Sequence, residues 1–258
     1  MRREKKKKIR YSHAPVSEVI CGVTFAESQL DISTLFNAQH TLSQEYPLID
    51  IAAPIGDEAL VGFVLESELE PTAVGPFRLR LRSSDLSWLC QIQFNKIYFN
   101  WIRQDDQPVG NYPGYTEIVS RFRKILDSLG ALSLANNPDL VKYLDLTYHD
   151  RIEWQKYMDS ISEADKILRF SPPQLMAQYS FNNVFSRYTY ECPEIGGHGI
   201  LGMNTDSAQD GTQLLKFESC LRGKMQDITM DKWFDRANGI QYDQFTNIFK
   251  EETLKKWI

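Results

Sequence analysis

No apolar run in this chain approaches the ~20 residues that a membrane-spanning helix needs, and no signal-peptide pattern opens it. The expected address is therefore the cytoplasm, with no membrane partner. Cysteine is scarce: Cys21, Cys90, Cys192 and Cys220 stand far apart, without a close pair of metal-ligand type. Free thiols are expected in a reducing compartment, and the alternation around Cys21 and Cys90 reads as buried packing. Catalytic signatures are missing as well. There is no Walker-type lysine loop, no serine nucleophile elbow and no zincin helix. Gly196, Gly197 and Gly199 cluster around His198, but strand-like sequence follows where a phosphate loop would lead into a helix, so a hairpin turn is expected. Asp206, Asp210 and Gly211 resemble part of a calcium loop whose terminal Glu is absent, and a turn is expected there too. His13, His40, His149 and His198 do not converge in sequence, so neither a metal nor a cofactor is expected.

What the chain has in quantity is aromatic and apolar residue. Its 258 residues are 42% hydrophobic and include 14 Phe, 12 Tyr and 5 Trp, enough for a packed core and too many for a disordered protein. Charge is uneven. Residues 1–10 take seven of the 29 basic and one of the 34 acidic residues, leaving the body at a net −11. Residues 1–14 read as a flexible basic tail; its cations could reach nucleic acid, although a solvating role is favoured.

Period-two patterns predict strands at Val16–Phe25, Leu60–Glu66, Phe77–Arg82, Trp88–Ile102 and Val141–Ile152. Further strands are expected near Leu175–Phe185, Arg187–Glu191, Gly199–Thr205 and Gln213–Gly223. The apolar phase shifts near Asn95 and Lys96, which suggests a β-bulge. Helices are predicted after Asp31 or Ser33, with Ile32, Leu35, Phe36 and Leu42 facing inward, and over Tyr115–Leu129, with Gly130 just past its end. A short one follows the Ser160/Glu163 capping-box pair, and a last one follows Thr229, with Trp233, Ala237, Ile240 and Phe245 as its stripe. The order strand, helix, three or four strands, helix then occurs twice, over 15–133 and 138–258. The expected class is α+β: a duplicated unit forming one compact domain, a curved antiparallel sheet with helices on one face, like helix-grip or TATA-binding-protein architectures. That comparison concerns fold alone.

Four segments resemble a known family: APVSEVICGVTF, WLCQIQFNKIYFNW with YPGY after it, YLDLTYHDRI, and WFDRANGIQYDQFTNIFKEETLKKW. The family consists of uncharacterised prokaryotic proteins of about this length, sporadically distributed among bacterial strains, and the resemblance runs from Pro15 onward. Its members tend to carry a histidine after the alanine in the last helix; here that position is Asn238. The patchy distribution implies mobile genes such as phage defence, toxin–antitoxin or immunity modules.

The main candidate site is polar. Arg78, Arg80 and Arg82 alternate with apolar residues and share one strand face, and Gln91, Gln93 and Asn95 are expected on the same face of the next strand. Arginine's planar fork suits phosphates and carboxylates. The aromatics Tyr98, Trp101, Tyr112 and Tyr115, with Asn95 and Asn100 nearby, could frame a groove or simply fill the core. The leading functional expectation is a non-enzymatic interaction protein, an accessory or neutralising component of a defence or toxin–antitoxin module that binds the product of a neighbouring gene. A nucleotide- or anion-sensing domain is the alternative. A metal-dependent nuclease using the acids around Asp145 and Asp150 is a third. Oligomeric state is left open.

Overall fold

The computed structural model describes residues 9, 11–56, 77–104, 107–169, 185–208 and 210–258. The strand expected at 60–66, most of the one at 175–185 and residues 1–8 and 10 of the basic tail lie outside these residues.

The fold is α+β, built on one open antiparallel sheet that has, among the described residues, nine strands in the order β2-β3-β4-β5-β1-β6-β9-β8-β7. These are β1 (Val16–Phe25), β2 (Leu48–Ala52), β3 (Arg78–Arg82), β4 (Trp88–Gln93), β5 (Lys96–Ile102), β6 (Val141–Glu153), β7 (Phe185–Cys192), β8 (Gly197–Ser207) and β9 (Gln213–Gly223). The long strands β1 and β6 pair at the centre, with Cys21 opposite Leu146. Strand alternation sends Val19, Cys21, Val23, Leu144, Leu146, Phe99 and Cys90 to one face. There they form a single core with residues of helices α1 (Ile32–Leu42), α2 (Tyr115–Ser128) and α4 (Met230–Ile248). α3 (Leu132–Ala135) links α2 to β6, and α5 (Glu251–Lys255) closes the chain.

Local chemistry explains the helix ends. Asp31 caps α1 by accepting from the Thr34 amide at 2.7 Å. α2 ends in a Schellman turn, in which Gly130 at φ +66° donates to Asp127 and Ala131 donates to Leu126. Thr229 caps α4. Met230, Trp233, Phe234 and Ala237 of α4 enter the main core, and the Trp233 indole donates to the Ile195 carbonyl at 3.0 Å.

Four expectations are corrected. The phase shift near Asn95 is a hairpin turn at Phe94–Asn95 that separates β4 from β5; neither turn residue has positive φ, so it lacks the glycine that usually marks such a turn. Residues 48–52, where no strand is expected, form β2, the outermost strand at that end among the described residues. On α1, Ala38 joins Leu35 and Leu42 inside, while Ile32 and Phe36 are exposed. The helix after Ser160 is a 3-10 turn over Ile161–Lys166, with Glu163 accepting from the Asp159 amide.

A second, smaller core lies beside the C-terminal end of α4. Met158, Ile161, Ile167 and Leu168 meet Phe217 of β9, Phe249, Leu254 and Trp257. α4 therefore starts in one core and finishes on another.

Candidate functional site

Between the two cores, on the helix-covered side of the sheet, lies a cavity of about 430 Å³. Its floor is β6, β9 and β8, through Tyr148, Asp150, Phe217, Ser219 and Leu201. One wall is the second half of α4, through Asn238, Gln241, Tyr242 and Phe245. Another is the start of α2, through Tyr112, Gly114, Tyr115 and Thr116. Tyr11 and Ile9 close the side, with Tyr11 stacked on Tyr242 at 6.3 Å between ring centroids. Most of this surface is aromatic or aliphatic, with a few polar groups, the usual make-up of a small-molecule pocket.

The polar groups are held in fixed directions. Tyr148 donates from its hydroxyl to Asn238 Oδ1 at 3.1 Å and lies 3.2 Å from the Tyr112 hydroxyl. Burial, with Tyr112 beside it, pushes the Tyr148 phenol well above its ordinary range, so it stays protonated and able to donate. Gln241 Nε2 donates to the carbonyls of Leu146 and Ser219, each at 2.8 Å. Both amide hydrogens are thereby used, and the buried Oε1 has no hydrogen-bond partner. Ser219 donates to Gln244 Oε1 at 2.9 Å, and Gln244 reaches the Tyr190 hydroxyl. Asp150 is 7% exposed and its Oδ1 has no hydrogen-bond partner. Burial lifts its carboxyl from 3.8 to about 7, opposed by the charge of Arg103.

The residues expected to form a site sit elsewhere. Arg78, Arg80, Arg82, Gln91 and Gln93 do share one face, since Arg80 pairs with Gln91 and Leu79 with Ile92. That face is opposite to the helices and lines neither this cavity nor a smaller one of about 110 Å³ beside Asp150. Arg80 lies 3.4 Å from Asp50 on β2, and Arg78 is pushed down by burial and by Arg80 beside it. The amides are engaged in structure. Gln93 exchanges hydrogen bonds with the Ile55 backbone and donates to Asn95 Oδ1, while Gln91 donates to Asn100. Lys96, fully buried, donates to the carbonyls of Ile55 and Gly56.

The aromatic quartet divides. Tyr112 and Tyr115 line the cavity, with Trp101 packed behind Tyr112 at 5.5 Å, whereas Tyr98 lies on the opposite face across from Gly22. Asp145 and Asp150 also part company. Odd and even positions of β6 face opposite ways, so Asp145 meets Arg222 on the far side of the sheet from the cavity, and the two acids do not converge. Among the described residues, no three His, Cys, Asp or Glu gather as a metal site.

The sequence carried one signal for the cavity. The inward stripe of α4, at 230, 233, 234 and 237, continues to the buried Gln241, with Ile240 partly buried against the main core beside it. A buried glutamine on an otherwise apolar face, one turn beyond Asn238, is the mark of a lining residue. Comparison of the chain with protein-family models and with curated proteins gives no match.

Proposed function

We propose that this protein is a ligand-binding domain of duplicated, helix-grip-like form, which holds a small molecule between α4 and the sheet. The observation that carries the reading is the cavity itself: about 430 Å³, aromatic-walled, with oriented polar groups on its floor and on α4. The duplication rests on strand order. β5-β4-β3-β2 run outward from β1, β9-β8-β7 run outward from β6, and a long helix follows each half's last described strand. Binding is read with Nile red, a neutral apolar fluorophore. Saturable binding is expected, weakened at least tenfold in Leu201→Trp, which fills the floor, and in Thr116→Trp, at the exposed start of α2. Absence of saturable binding, or equal binding by both variants, overturns the reading.

A second reading, an interaction protein acting on the product of a neighbouring gene in a defence or toxin–antitoxin module, draws on a different observation. Phe36 and Ile32 of α1 and Ile49 and Ile51 of β2, the strand that follows it in the chain, are exposed. Scattered exposed apolar residues are common, but several on an outermost strand and its helix mark an interaction surface. Co-purification with that neighbour, lost in Phe36→Asp/Ile51→Asp, supports it; purification as free protein only, from the native host, counts against it.

A further inference from the structure

We infer that the cavity selects a protonated amine carrying an aromatic or aliphatic body, with the ammonium received by the carboxyl group of Asp150. This rests on the ligand-binding reading above and names the chemistry of that site.

Polar groups removed from water are normally hydrogen-bonded, and each exception calls for a reason. Asp150, which lines the cavity, is such an exception: it is 7% exposed and its Oδ1 has no hydrogen-bond partner. The Tyr148 hydroxyl on the same floor is directed to Asn238 and not to this carboxyl. A ligand ammonium supplies the donor that the carboxyl lacks, whereas a ligand carboxylate would meet a second carboxylate. The walls agree: Tyr11, Tyr112, Tyr242 and Phe245 present rings to the same space, and aromatic faces attract cations as well as apolar bodies. One feature points the other way. The start of α2, capped by Gly114 without a side-chain bond, also lines the cavity, and a helix N-terminus favours anions. Among the described residues, no Lys or Arg lines the cavity with it, so the Asp150 carboxyl decides the sign.

The inference carries a pH dependence. Arg103 acts on Asp150 from the end of β5, and Tyr11 and Tyr242 flank the cavity. Behind Asp150, the smaller cavity gathers Glu18 of β1, His149 and Arg151 of β6, and Lys216 and Glu218 of β9. Alkylamines stay protonated to about pH 10, like lysine. Across pH 5 to 9 the charge that changes in the pair is therefore that of the carboxyl.

The test uses three indole probes of near-equal size, tryptamine (cation), tryptophol (neutral) and indoleacetate (anion), titrated calorimetrically into the full chain. Tryptamine is expected to bind at least tenfold more tightly than tryptophol at pH 8, with indoleacetate weakest. Its affinity should rise with pH, by up to tenfold per unit, and level off above about 7. Asp150→Asn should bring tryptamine down to the tryptophol level and flatten the profile; His149→Gln should retain both. If tryptophol binds and tryptamine binds no better, or if indoleacetate binds best, the amine assignment is overturned and the cavity reading stands. If no probe binds, and Nile red fails as well, both fall. If Asp150→Asn does not fold, the pH profile and probe order of the unaltered chain still decide the question.

Discussion

The two faces of the central strand pair solve opposite problems. Toward the helices, β1 and β6 present Val19, Cys21, Val23, Leu144 and Leu146, which are inaccessible and belong to the main apolar core. That face ends in polar groups at Tyr148 and Asp150, where the two cores separate. On the other face, a residue away in each strand, Asp145 is fully buried and accepts from Arg222 Nε at 2.7 Å. The Arg222 guanidinium lies 5.2 Å from the Tyr143 ring, and Tyr98 lies across Gly22. The first face contributes stability through area removed from water, roughly 25 cal/mol per Å². The second gains little from its charges as such, because removing them from water offsets their attraction; it is sensitive chiefly to losing one partner. Asp145 and Asp150 make the contrast at single-residue scale. Burial raises both carboxyls, but Arg222, then Lys96 and His198, oppose it for Asp145, whereas Asp150 has Arg103 alone.

Breaking the charged face should have the largest effect. Arg222→Met leaves the Asp145 carboxylate buried without its cation, and a loss of about 3–5 kcal/mol is expected in urea denaturation. Adding Asp145→Asn should restore most of it. A double variant no better than Arg222→Met alone would show that the pair is not the source of the loss.

The cavity end should respond differently, by gaining stability. The folded chain holds a proton on Asp150 up to about 7, which the unfolded chain releases near 3.8. Stability therefore declines as pH rises between those values, and the penalty is complete above about 7, with a ceiling of about 4 kcal/mol. Asp150→Asn should thus be more stable than the unaltered chain at pH 8, by roughly 1–3 kcal/mol, and no more stable at pH 4. A gain of equal size at both pH values would place its origin outside ionisation.

The smallest effects compare two glycines in strands. A Cβ on Gly22 would overlap the ring of Tyr98, which is 2% exposed and has no room to withdraw. Gly22→Ala should cost about 1–3 kcal/mol. A Cβ on Gly199 meets the far end of the half-buried Tyr190 ring, which can swing aside, so Gly199→Ala should cost less than about 1 kcal/mol. Equal losses would mean that Tyr190, tied through its hydroxyl to Gln244, is as fixed as Tyr98.

Much of the scaffold was legible in the residues themselves. β1 and β9 run over the segments that alternation predicts, and the caps at Asp31, Thr229 and Gly130 act where the residue types place them. Local signals were enough there, because capping and strand alternation involve neighbours a few residues apart. The Phe94–Asn95 turn was not legible, since Asn95, a turn former, is followed by Lys96 where the usual hairpin signal has glycine. β2 was not either, because Leu48, Ile49 and Ile51 are exposed and carry no inward–outward alternation.

The sequence by itself determined the α+β class, the antiparallel habit of the strands and the shared face of Arg78, Arg80 and Arg82. These follow from periodicity and, for the antiparallel habit, from short connections between consecutive strands, both properties of short stretches of chain. Only the tertiary structure decided that Asp145 and Asp150 face opposite ways in the sheet, that Gln93 is drawn into holding the segment at Ile55, and that Tyr112, Tyr148, Asp150 and Gln241 surround one space. Those residues are up to 129 positions apart in the sequence. What brings them together is the packing of α4 across two separate cores, and that packing depends on long-range contacts which no local pattern encodes.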